Sequence, residues 1–90
     1  MIDFTVAKRT QLRQKGELDR LFGVSYPMTN AYLKGKSYPR GKNRVHIAVT
    51  LDVLAELLKS GKLPLSEEKG IEARAKAVTK IHDFVKARKH

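Results

Sequence analysis

Apolar positions in this chain recur mainly at helical intervals, and glycines punctuate them. From Thr10, which can cap, Leu12, Leu18, Leu21 and Phe22 follow one another at helix-like spacings up to Gly23. Gly23 stands where a left-handed residue is wanted after a helix. Ser25 then caps a second helix with Tyr26 and Pro27 in its first turn, where a missing amide costs nothing. Met28, Tyr32 and Leu33 are its expected apolar face, and Gly35 closes it.

Farther along, Ile47, Leu51, Leu54, Ala55 and Leu58 form a stripe that ends at Gly61. A strand over Val45–Val49 followed by a helix capped at Thr50 is the alternative. The stripe runs through both halves, which favours one helix. "KLPL" reads as a linker. Ser66, with Glu67 and Glu68 behind it, opens a last helix that runs to about Lys89. Residues 2–6 stay open between a short strand or an irregular arm, suggested by the alternation of Ile2, Phe4 and Val6 with Asp3 and Thr5, and a first short helix over the same stretch. The expectation is an all-α bundle of about five helices. Residues 1–62 form its main unit and residues 66–90 an amphipathic C-terminal helix.

Charge changes the picture. Nineteen Lys plus Arg against nine Asp plus Glu leave +10 on 90 residues, a self-repulsion best explained by a polyanionic partner. The stretch "KGKSYPRGKNR" contributes Lys34, Lys36, Arg40, Lys42 and Arg44 with no acid among them, and its two glycines and one proline predict an exposed loop. There is no cysteine, and His46, His82 and His90 are too far apart for a local metal motif, so neither metal nor cofactor is expected. No nucleophile elbow, phosphate-binding glycine loop or zinc-protease motif occurs, which argues against an enzyme. No apolar run is long enough to span a membrane, and the first residues lack the basic start and apolar core of a signal peptide; the cytoplasm is the expected address.

Leu18–Gly35 has the parts of a helix-turn-helix: a helix, a glycine turn with Val24 as apolar anchor, and a capped second helix. Leu18, Phe22, Val24, Thr29 and Tyr32 are the residues expected to lock the pair. Such a second helix can enter the major groove of DNA. "LDRLFGVS" resembles the leucine-alanine-x-x-leucine-glycine-valine-serine pattern of the Cro/CI-type helix-turn-helix repressors of phages and bacterial operons. "YLKGKSYP" keeps the glycine-x-x-x-proline spacing that follows many of their recognition helices. The resemblance covers about residues 11–60. Asp19 stands where the family usually has alanine, Thr29 where an aliphatic is usual, and Leu33 where glutamate is common.

What the resemblance implies is a transcriptional repressor that binds a palindromic operator as a homodimer. Its base-facing positions fall on Ser25, Tyr26, Pro27, Asn30, Ala31 and Lys34. Of these, Asn30 suits adenine and Lys34 guanine, while Pro27 and Ala31 suit a thymine methyl. Tyr26 suits a phosphate or a base edge, and Ser25 a cap beside a phosphate. A Tyr26 packed over a neighbouring loop and an ordinary solvated Asn30 are the bland alternatives. Lys36, Tyr38, Arg40, Lys42 and Arg44 are the other phosphate candidates. The stripe Ile71, Ala75, Val78, Ile81 and Val85, with Phe84 beside it, either folds back onto the chain's own core or pairs with a second protomer. Dimerisation is favoured, with Leu57 and Leu58 as contributors. Competing functions are a non-specific architectural DNA- or RNA-binding protein, and an antitoxin or anti-repressor whose C-terminal helix engages a different protein.

Overall fold

The computed structural model describes residues 2–12, 14–65 and 70–89. Its elements are α1 (Thr5–Arg9), α2 (Leu18–Phe22), α3 (Tyr26–Leu33), α4 (Gly41–Lys59) and α5 (Ile71–Arg88), and the described residues contain no strand. The all-α expectation of about five helices is met.

The open question at residues 2–6 resolves to a short arm leading into α1. Asp3 accepts the Thr5 amide at 2.9 Å and so supports the helix start. Phe4 stacks on Tyr32 (centroids 5.8 Å apart) and meets Phe22 edge-on at 6.0 Å. Ile2 and Phe4 in the arm and Val6 in the first turn of α1 are all half-buried against the core, so the alternation marks packing of an arm and a helix start, not a strand.

Thr10 departs from its expected role. It ends α1, with its hydroxyl donating to the Ala7 carbonyl at 2.6 Å. The next residue, Gln11, takes φ +58° and reverses the chain. Leu12 is buried by that turn, and α2 begins only at Leu18. The turn is held from far away. Glu17, 6% exposed, accepts Arg74 Nε at 2.8 Å and Nη2 at 2.9 Å, while Arg74 also donates to the Gln11 carbonyl. The bond to Glu17 raises the Arg74 pKa above its usual range.

α4 is one helix, as its continuous stripe predicts, and it packs against α1, α2 and α5. It buries Ile47, Thr50, Leu51, Val53 and Leu54, whereas Ala55 is exposed. The Thr50 hydroxyl donates to the His46 carbonyl at 2.8 Å. His46 Nε2 donates to the Leu21 carbonyl at 2.8 Å, tying α4 to the end of α2.

α5 folds back. Val78, Ile81 and Val85 lie in the same apolar cluster as Leu21, Phe22 and Ile47, each at most 4% exposed. These three are therefore occupied within the chain and are not free to form the expected dimer seam. Ile71 (78% exposed), Ala75 and Phe84 (53% exposed) remain at the surface. The caps expected at Ser66, Glu67 and Glu68 fall outside the described residues.

Candidate nucleic-acid interface

Local chemistry alone builds the α2–α3 junction. Gly23 takes φ +72°, a conformation that strains any side chain with a Cβ, and its amide donates to the Asp19 carbonyl at 2.8 Å. Val24 is half-buried as the anchor, and Ser25 is extended. The Ser25 hydroxyl accepts the Met28 amide at 3.3 Å, the N-cap the sequence predicts. Pro27 sits in the first turn. The buried side of α3 is Thr29 and Tyr32; Met28, expected inside, is 40% exposed. Its place one turn before Tyr32 is misleading, because Thr29 takes the inner position and its hydroxyl returns to the Ser25 carbonyl at 3.2 Å.

At about 100° per residue, Tyr26, Pro27, Asn30, Ala31 and Lys34 fall within an arc of roughly 140° on α3 and its C-cap. That arc lies opposite Thr29 and Tyr32. Pro27 and Lys34 are exposed, and Tyr26, Asn30 and Ala31 are half-buried. Tyr26, Asn30 and Lys34 border an open groove of about 620 Å³ whose other wall includes Ala7, Lys8, Leu12 and Gln14. Lys8 and Gln14 are candidate contacts that the sequence pattern does not flag, because only the reversal at Gln11 brings them beside α3.

Past α3, Gly35 (φ +74°) turns the chain, and the Lys36 and Ser37 amides donate back to the Ala31 carbonyl at 2.9 and 3.3 Å. This clasp sets Lys36 beside the end of α3. Pro39 is buried, while Arg40 is exposed. Tyr38 is 37% exposed and its hydroxyl accepts the Ile2 amide at 2.7 Å, which leaves its own proton to donate. Lys42 and Arg44, expected in the loop, stand in the first turns of α4, which starts at Gly41. Both are exposed. With Arg40 they crowd positive charge at the positive end of a 19-residue helix that has no acid in its first turn and no side-chain cap. An anion there relieves the repulsion. A second open groove, bordered by Lys36, Ser37, Tyr38, Arg40 and Asn43 over Phe4 and Tyr32, lies along the same edge.

All five base-reading candidates therefore share one side of α3, with the phosphate candidates Ser25, Lys36, Tyr38, Arg40, Lys42 and Arg44 at its two ends. The dimer candidates do not come together, being divided between the core and the two flanks of α5. Among the described residues no group of three or more His, Asp or Glu side chains could hold a metal ion, and no helix is long and apolar enough to cross a membrane. Comparison with protein-family models, curated proteins and solved structures gives no match.

Proposed function

We propose that this chain is a sequence-specific binder of double-stranded DNA that regulates transcription, acting as a repressor on a palindromic operator. The observation that carries the reading is the single arc of Tyr26, Pro27, Asn30, Ala31 and Lys34 on a Ser25-capped helix, followed by four more cations, Lys36, Arg40, Lys42 and Arg44, with no acid among them. In this reading α3 lies in the major groove. Asn30 pairs with the N6/N7 edge of adenine, Lys34 donates to guanine O6 or N7, and Pro27 and Ala31 pack on thymine methyls. Lys36, Arg40, Lys42 and Arg44 displace counterions from the phosphates, with Tyr38 donating its free hydroxyl proton. Tyr26 contacts a phosphate or a base at the leading end of the helix.

The size suits two copies on one face of the duplex. The longest dimension is 35 Å, close to the separation of about 34–36 Å between successive half-sites. The test is footprinting of the purified protein on genomic fragments with excess non-specific competitor. A protected pseudo-palindromic site is expected; uniform binding of all fragments overturns the reading. That uniform result is what the second reading, a non-specific architectural binder, predicts. The spread of further lysines over α5 and its C-cap (Lys76, Lys80, Lys86 and Lys89) is the observation that favours it.

A further inference from the structure

We propose that the groove between the N-terminal arm and the loop after α3 binds a free adenine nucleotide, with its base on the aromatic floor and its phosphate on the Lys36–Arg40 rim. The groove has a volume of about 850 Å³, within the range of about 300–1,000 Å³ usual for small-molecule sites. Its floor is aromatic. Phe4 and Tyr32 stack there at 5.8 Å with their planes 18° apart, and Tyr38 stands at the edge, 37% exposed. The 2.7 Å bond from the Ile2 amide to the Tyr38 hydroxyl joins the arm to the loop.

One polar group on that floor is unused. Tyr32 is 6% exposed, and among the described residues its hydroxyl makes no hydrogen bond. No fully buried side-chain oxygen or nitrogen among them lacks a partner, so this hydroxyl meets solvent. Tyr32 borders this groove and not the one beside α1, which puts the opening here. A phenol more than nine-tenths buried that opens on a groove is a ready donor for a ligand seated in it.

Charge and shape select the occupant. Lys36, Arg40 and Asn43 border the groove, and none of the bordering residues is an acid. Asp3, in the arm, is engaged with the Thr5 amide at 2.9 Å. Arg40 is the N-cap of α4, whose first turn has neither acid nor side-chain cap, so the positive end of a 19-residue helix adds to the pull on an anion. A phosphate alone satisfies the rim and leaves the rings wet. A duplex satisfies the rim too, but its bases stack on one another and offer no face to Phe4 or Tyr38. An unpaired base offers both faces for stacking on an aromatic ring. Asn43 narrows the choice, because a side-chain amide pairs with N6 and N7 of adenine. In the DNA-binding reading a duplex needs the same two cations, so bound nucleotide competes with DNA.

Nucleotide binding rests on the DNA-binding reading only for that competition, and its test needs no DNA. Isothermal titration of the full chain with adenosine monophosphate (AMP) at fixed ionic strength is expected to give one site with Kd of about 10–100 μM. Adenosine and inorganic phosphate each carry half of the recognised chemistry, and both are expected to bind at least about tenfold more weakly. Tyr32→Phe keeps the ring and is expected to weaken AMP about 3–10-fold. Asn43→Ala, at an exposed position, is expected to weaken AMP by a similar factor and to abolish its preference over cytidine monophosphate. Circular dichroism and melting of both variants are expected to match the parent. No AMP binding at about 1 mM, ten times the weakest expected Kd, overturns the inference. An affinity no higher than that of inorganic phosphate, or one that both substitutions leave unchanged, overturns it as well. Where the DNA reading also holds, about 1 mM AMP is expected to weaken duplex binding about tenfold or more. If AMP binds and no specific DNA site emerges, the DNA reading fails and the nucleotide site stands.

Discussion

Arg74→Ala removes the cation that, among the described residues, pairs with the buried Glu17 carboxylate. The two side chains are 15% and 8% exposed, so water screens the pair weakly. Among the described residues Glu17 accepts three bonds, two from Arg74 and one from the Gln14 amide at 3.0 Å. The substitution leaves only the last, and an uncompensated buried charge costs about 3–5 kcal/mol. A chain of 90 residues has a total stability of about 5–13 kcal/mol. At about 4–8 °C per kcal/mol, even the lower loss should drop Tm by roughly 12–24 °C. Glu17→Gln should cost less, about 1 kcal/mol, because the freed guanidinium keeps the Gln11 carbonyl at 3.2 Å and can turn to water. Urea and thermal melts of Arg74→Ala, Glu17→Gln and the double variant measure the pair, with an expected coupling of about 2 kcal/mol. A loss under about 1 kcal/mol for Arg74→Ala, or strict additivity in the cycle, refutes the claim that this pair fastens α5 to the turn before α2.

Three further outcomes test the rest. Asn30→Ala should cost about 1–3 kcal/mol on the selected operator and relax preference at one base pair, read by competition binding with single-base operator variants. Arg40→Ala should weaken cognate and random duplexes alike and lower the slope of log K against log salt by about one unit; a loss confined to the cognate site contradicts a phosphate role. The Arg88 hydrogen bonds hold the Glu56 carboxyl below its usual pKa of 4.5. A carboxylate lowered in the folded state contributes stability above its unfolded pKa and loses it as pH falls through the folded value. The Tm difference between the parent and Glu56→Gln should accordingly persist from pH 7 to about pH 5 and shrink below the usual glutamate range; a difference unchanged at pH 2 assigns it to packing.

Features whose cause is local are legible in the sequence. Gly23 and Ser25 announce the α2–α3 turn because a left-handed end and a hydroxyl cap are properties of one or two residues. The segment from Thr10 to Glu17 is not legible, since Gln11 reverses the chain without being glycine and the stabilising cation lies 57 residues away at Arg74. Lys42 and Arg44 read as loop because Gly41 looks like punctuation, although it opens a helix. The stripe on α5 reveals an apolar face but not what covers it. The same spacing serves a chain's own core and a partner helix, and here Val78, Ile81 and Val85 serve the core. Of the candidate site, the α3 residues follow from the motif, whereas Lys8 and Gln14 join it only through tertiary folding.

Because Val78, Ile81 and Val85 share one apolar cluster with Phe22 and Tyr32, α5 and α3 are thermodynamically linked. A ligand that binds only the folded form stabilises every element whose opening destroys its site. Operator binding at α3 should therefore slow amide hydrogen exchange in α5, far from any DNA contact. For the same reason α5 cannot be cut away to isolate a smaller unit around α3, because its removal opens the apolar cluster on which α3 stands.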